Sequence, residues 1–130
     1  MSTQLRDPEP ALRYAAPVFC VTDMAEAMAY FTERLGFRLQ GKAGDPPSWA
    51  SMERDGIELM LVRGDYPAPA QDWAAYLYVR DADALYEELR QRGADLLGPP
   101  VDKPYHNREF EARLPDGRLL AFGGELAPQR

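Results

Sequence analysis

Apolar residues fall along this chain in two alternating periods. Stretches 14–21 and 73–80 are dense in β-branched and aromatic residues and read as strands. Behind each comes a spacing of threes and fours: Met24, Ala27, Met28, Phe31 and Leu35 in the first, then Ala82, Leu85, Tyr86 and Leu89 in the second. That spacing gathers side chains on one face of a helix. Asp23 and Asp81 stand where N-caps belong, with Glu26 following Asp23 as in a capping box, and Gly36 and Gly93 stop the helices. Shorter runs follow at about 37–42, 48–53 and 57–62, and again at 95–97, 107–114 and 118–123. Asp55-Gly56 and Asp116-Gly117 supply hairpin turns.

The two halves repeat one another. VTDMAEAMAYFTERLGF from Val21 answers VRDADALYEELRQRGAD from Val79, and RDGIELMLV answers PDGRLLAFG. The pattern predicts an α+β fold made of two tandem βαβββ modules that form a cupped mixed sheet with helices outside. One domain over 13–125 is expected, with modules 13–64 and 72–125, a flexible arm at 1–12 and a tail at 126–130. Pro- and Gly-rich stretches 41–48, 63–72 and 98–106 are surface loops.

Strand alternation assigns the faces. Phe19, Val21, Leu59, Leu61, Leu77, Val79, Leu120 and Phe122 form a uniformly apolar set, as expected of the layer under the helices, joined by Phe110 and Ala112. The opposite set mixes small, aromatic and acidic residues: Ala16, Val18, Cys20, Trp49, Ser51, Glu53, Glu58, Met60, Val62, Ala74, Tyr76, Tyr78, Glu109, Glu111, Arg113, Leu119, Ala121 and Gly123. A small-residue floor, aromatic walls and a few polar groups are what a ligand pocket uses. A solvated sheet face tolerates the same carboxylates and tyrosines. The decisive point is that Trp49, Tyr76 and Tyr78 together are costly to leave in water.

Composition narrows the partners. With 15 basic and 21 acidic residues, the net charge of −6 repels nucleic acid and anionic lipid and favours cationic small molecules. The single Cys20 rules out an internal disulfide, and one Cys with one His makes a poor start for a zinc cluster. The opening residues carry charges and prolines rather than an apolar signal, and no run is apolar enough to span a membrane, so a cytoplasmic location is expected.

The duplicated βαβββ pattern, with PVFCVTDMAEAMAYFTERLGF near the start and REFEARLPDGRLLAFG near the end, resembles the vicinal oxygen chelate superfamily of glyoxalases, extradiol dioxygenases and fosfomycin resistance enzymes. The resemblance implies a cupped sheet around a cavity and, in the enzymes, a divalent metal held from four strand positions. Those positions map onto Ala16, Met60, Ala74 and Ala121. An alanine methyl has no lone pair and a thioether is soft and neutral, so no metal and no cofactor are expected. Among the branches the chain looks most like the bleomycin resistance proteins, which sequester a drug without chemistry. This implies a homodimer whose crevices lie between subunits, with an exchanged N-terminal strand for which residues 1–21 are the candidate.

The expected ligand residues are Trp49, Ser51, Glu58, Met60, Trp73, Tyr76, Tyr78, His106, Glu109 and Glu111, with no catalytic residue. Glutamates beside aromatic faces suit a cationic aromatic or glycopeptide-like ligand. Arg108 and Arg113 are placed to neutralise those glutamates, which would weaken the argument. His106 in its loop is more often a plain surface residue than an acid or base, and Cys20 more often an apolar filler than a reactive thiol. The competing reading is a metal-dependent glyoxalase or dioxygenase-like enzyme with an atypical ligand set.

Overall fold

A computed structural model describes residues 11, 13–64 and 73–126. The expected arm and tail, 1–10, 12 and 127–130, lie outside the described residues. The first module runs β1 (Val18–Val21), α1 (Met24–Ala29, continued by one wide helical turn over Tyr30–Arg34), β2 (Arg38–Ala43), β3 (Trp49–Arg54) and β4 (Ile57–Arg63). The second runs β5 (Trp73–Val79), α2 (Ala82–Arg92), β6 (Val101–Asp102), β7 (Asn107–Arg113) and β8 (Leu119–Glu125). Each module makes its own four-stranded sheet, in the orders β1-β4-β3-β2 and β5-β8-β7-β6. In both, the first strand pairs parallel with the last and the remaining pairs are antiparallel, so the duplication seen in the sequence is a duplication of topology.

The caps form as expected: the Asp23 carboxylate accepts from Glu26 N–H at 2.9 Å and the Asp81 carboxylate from Ala84 N–H at 3.0 Å. The first helix departs from regularity. From Asp23 to Gly36 the chain is one residue longer than from Asp81 to Gly93, and the wide turn absorbs that residue. Leu35 N–H reaches back to Tyr30 carbonyl at 3.2 Å, and the Thr32 hydroxyl donates to Met28 carbonyl at 2.9 Å. Phe31 and Leu35 thereby both stay on the core face, each only 1% exposed.

Two strand expectations are corrected. The first strand starts at Val18 rather than residue 14, because Pro17 has no N–H for the ladder; its carbonyl still accepts from Met60 N–H at 2.9 Å. The segment 95–97 is no strand: Leu96 makes one bridge to Ala112, and regular pairing resumes at β6, inside a stretch read as loop. Gly98-Pro99-Pro100 interrupts it, since two adjacent prolines offer no donors.

The apolar face is the core. Phe19, Leu59, Leu61, Leu120, Phe122, Phe110 and Ala112 are buried with Met24, Ala27, Phe31 and Leu89 from the helices, while Leu77 and Val79 pack half-buried against them. Phe19 stacks on Phe31 at 5.9 Å and Phe110 on Phe122 at 4.9 Å. Truncating any of these rings to alanine is worth about 3–5 kcal/mol.

Arginines join the modules at their helix ends. The Arg34 guanidinium donates to Arg92 carbonyl at 3.1 Å and lies over Gly93, while Arg92 lies over Gly36. Arg54 donates to Leu35 carbonyl at 2.8 Å and pairs with Glu88 of α2 at 2.7 Å. Both C-terminal carbonyl ends thus receive cations from elsewhere. Gly36 and Gly93 have φ of 77° and 83°, and a methyl at either would strike an arginine. On the other side of the junction the Tyr30 hydroxyl donates to Arg113 carbonyl at 2.8 Å and accepts from Asp95 N–H at 3.1 Å, and burial raises its pKa.

Candidate functional site

The face of each sheet away from its helix is the one left open. On β5 it presents Trp73, Tyr76 and Tyr78 as a row of rings, with centroids 5.1 Å and 5.0 Å apart. Trp73 is 47% and Tyr78 82% exposed, and Val18 on β1 is 54% exposed. Rings left partly open side by side make an apolar patch of the kind that marks a contact or ligand surface.

Under the row sits a hydrogen-bonded carboxylate. Tyr76 hydroxyl donates to Glu109 at 3.0 Å, Tyr105 hydroxyl to the same oxygen at 2.6 Å, and Asn107 amide to the Tyr76 oxygen at 2.9 Å. Lys103 Nζ stands 4.0 Å from the second Glu109 oxygen, and Glu109 is 3% exposed. The carboxylate pushes the Tyr105 phenol up to about 12; burial, then the Glu109 bond, raises that of Tyr76. Gly123 makes this possible: a methyl there would lie 1.8 Å from the Tyr76 oxygen. Next along β7, Glu111 accepts the Trp73 indole N–H at 2.7 Å, which fixes the ring.

The first sheet contributes a different group of polar residues. Ser51, 3% exposed, donates to Glu58 at 2.7 Å, and the Gln40 amide stands 3.0 Å from the same hydroxyl. Glu53 pairs with Arg38 and accepts Gly56 N–H at 2.7 Å, which hold its carboxyl below the usual range, the backbone bond contributing most. A cavity of about 550 Å³ is lined by Arg38, Gln40, Glu53 and Glu58 of the first module and Tyr76 of the second, together with Tyr14 and Pro17.

Of the expected ligand residues, Glu58 and Tyr76 line this cavity, while Ser51, Met60, Trp73, Tyr78, Glu109 and Glu111 do not. Trp49 lies over Gly41, 3.7 Å from the position a methyl would take, and does not line the cavity. His106 sits exposed in the turn before β7 with φ of 68°, its side chain making no hydrogen bond to a described residue. Arg108 and Arg113 turn away: Arg108 pairs with Asp83 at 3.0 Å and Asp102 at 2.8 Å, Arg113 with Asp95 at 3.6 Å. The glutamates therefore keep their charge clear of both arginines. Sequence reasoning missed Tyr105, Asn107 and Gln40. Asn107 shares the parity of Glu109 and was readable; Tyr105 sits in a loop, where no period exists.

The four positions that the resemblance assigns to a metal, Ala16, Met60, Ala74 and Ala121, carry alkyl and thioether side chains. Met60 faces Ser51 and Val18, and Ala121 faces Tyr76 and Glu111. Among the described residues no group of three or more His, Cys, Asp or Glu side chains is arranged to hold an ion. No helix among them is long and apolar enough to cross a membrane.

A sequence profile described as Glyoxalase/Bleomycin resistance protein/Dioxygenase superfamily matches residues 13–122. The chain belongs to that superfamily. A search of the curated proteins finds no match. Solved structures with the same fold include the bleomycin-binding protein from bleomycin-producing Streptomyces verticillus complexed with copper(II)-bleomycin, at 22% identity and a TM-score of 0.72 over 92% of this chain and 99% of that one. TnmS3, an antibiotic binding protein from Streptomyces sp. CB03234, is 25% identical with a TM-score of 0.68, over 89% and 98%. A glyoxalase-related enzyme from Clostridium phytofermentans is 20% identical with a TM-score of 0.76, over 92% and 100%. The superfamily assignment thus extends over both modules, and binding proteins and enzymes share its architecture.

Proposed function

We propose that this superfamily member is a metal-free small-molecule receptor of the bleomycin resistance type, which sequesters a cationic aromatic or glycopeptide-like ligand in the cytoplasm. The observation that carries the reading is the chemistry of Ala16, Met60, Ala74 and Ala121, alkyl and thioether groups where a metal enzyme needs oxygen or nitrogen donors. The exposed row Trp73, Tyr76 and Tyr78 beside Glu58, Glu109 and Glu111 supports an aromatic cation as the cargo. The antibiotic-binding relatives make a resistance role the natural one.

The crevice is proposed to be shared by two copies of the chain, because Val18, Trp73 and Tyr78 are exposed on the open faces among the described residues. The expected exchange of residues 1–21 is narrowed to the arm, 1–12, as the part proposed to reach the partner, because Pro17 and β1 pair with β4 of their own chain. Light scattering should then give about twice 14.6 kDa.

The test is a thermal-shift screen against bleomycin and other cationic natural products, with metal analysis of chelator-free protein. A ligand at about 100 times its Kd adds about 2.7 kcal/mol and raises Tm by several degrees. Stoichiometric iron, manganese, nickel or zinc bound by the protein, together with turnover of a substrate, would replace the receptor reading with the enzyme one.

A further inference from the structure

The carboxylates that strand parity places on the open faces differ in how far the protein satisfies them. Glu53 has the Arg38 guanidinium and an amide N–H. Glu109 is sealed under two phenols with Lys103 nearby, and Glu111 holds the Trp73 indole. Glu58 has one neutral partner, the Ser51 hydroxyl, and no cation within 4.0 Å among the described residues.

Its position makes that significant. Pairing of β1 with β4 begins at Met60, so Ile57 and Glu58 lie beyond the end of β1 and border the cavity instead, while Leu59 points into the core. Ser51 is buried and held between Glu58 and Gln40, which fixes one carboxylate oxygen and leaves the other without a donor among the described residues. Tyr76 lines the same cavity, as does Arg38, whose guanidinium is taken up by Glu53. A half-buried carboxylate with no cation within 4.0 Å among the described residues, in a cavity that Tyr76 also lines, fits a compact protonated nitrogen carried on a planar body.

We propose that Glu58 is the residue that selects the ligand: it receives a protonated amine on an aromatic ligand, and Ser51 is its positioning residue. This rests on the receptor reading above and goes beyond it by assigning the charge recognition to one carboxylate rather than to three. Glu109 then anchors the loop that carries Tyr105, and Glu111 orients Trp73.

Fluorescence titration with 9-aminoacridine, a planar cation at neutral pH, and acridone, its neutral counterpart, separates these assignments. Wild type should bind the cation at least about tenfold more tightly, the effect of one charge-assisted hydrogen bond. Glu58→Gln should abolish that preference while leaving acridone affinity unchanged, and Ser51→Ala should reduce it. Glu33→Gln, an exposed acid on the helical side, controls for net charge and should leave it intact. Circular dichroism melts confirm that the variants are folded, and the two-probe ratio in wild type stands without any variant. Equal wild-type affinity for both probes, or a preference that survives Glu58→Gln, overturns the assignment while the receptor reading stands on its own screen. Binding of neither probe overturns the assignment as well, and if the screen also yields no ligand, both fall.

Discussion

Gly123→Ala places one methyl in the strand under Tyr76. Gly123 does not need the left-handed region, so the backbone accepts alanine without strain, and a strand interior gains slightly from losing a glycine. The new carbon would nevertheless lie 1.8 Å from the Tyr76 oxygen, 2.5 Å from the ring carbon bearing it and 2.8 Å from the next. No real contact is that short, so the ring must leave. Leaving breaks its bond to Glu109 and the one it accepts from Asn107. The first involves a carboxylate and is worth about 1.5–3 kcal/mol, the second about 1 kcal/mol, so the expected loss is about 3 kcal/mol. For a chain of this size that is a fall in Tm of roughly 10 °C.

Urea unfolding of wild type, Gly123→Ala, Tyr76→Ala and the double variant completes a cycle. In the Tyr76→Ala background the Gly123→Ala change should cost nothing, because the ring it displaces is gone. A Gly123→Ala protein within about 0.5 kcal/mol of wild type, or costs that add in the cycle, would refute the packing argument.

Two further predictions concern ionisation. Because the Tyr105 phenol is raised from 10.0 to about 12, the stabilisation from its Glu109 bond is complete below pH 10 and lost as the pH climbs through about 12; melts at stepped alkaline pH should show Tyr105→Phe losing less stability than wild type over that window. Arg54 and Arg92 depress Glu88, whose carboxyl has an ordinary value of 4.5, so their contribution is present above that pH and disappears on acidification below it. Since Glu88 is 38% exposed, solvent screening keeps the effect of Glu88→Gln to about 1 kcal/mol or less, and a flat difference between the two proteins across acid pH would contradict the sign. Gly93→Ala must bear both a positive φ and a collision with the Arg34 guanidinium, and a loss below about 1 kcal/mol in urea unfolding would dismiss the helix-end junction as a constraint.

Local chemistry written in the sequence determined the caps at Asp23 and Asp81, the stops at Gly36 and Gly93, the core face from Phe19 to Phe122 and the duplication itself, because each depends on neighbours a few residues apart or on a fixed strand period. The alkyl character of Ala16, Ala74 and Ala121 was legible for the same reason: side-chain identity alone decides whether a lone pair exists. Tertiary structure decided the rest. The extra residue before Gly36 could be counted in the sequence, but only packing showed that a wide turn takes it up. Whether Arg108 and Arg113 quench the glutamates depended on where Asp83, Asp102 and Asp95 came to lie. Strand parity put Glu53, Glu58, Glu109 and Glu111 on one side of their sheets and could go no further. Which of them is sealed under Tyr105 and which looks into a cavity follows from loops and strand ends that carry no period, and from pairings between residues far apart in the chain.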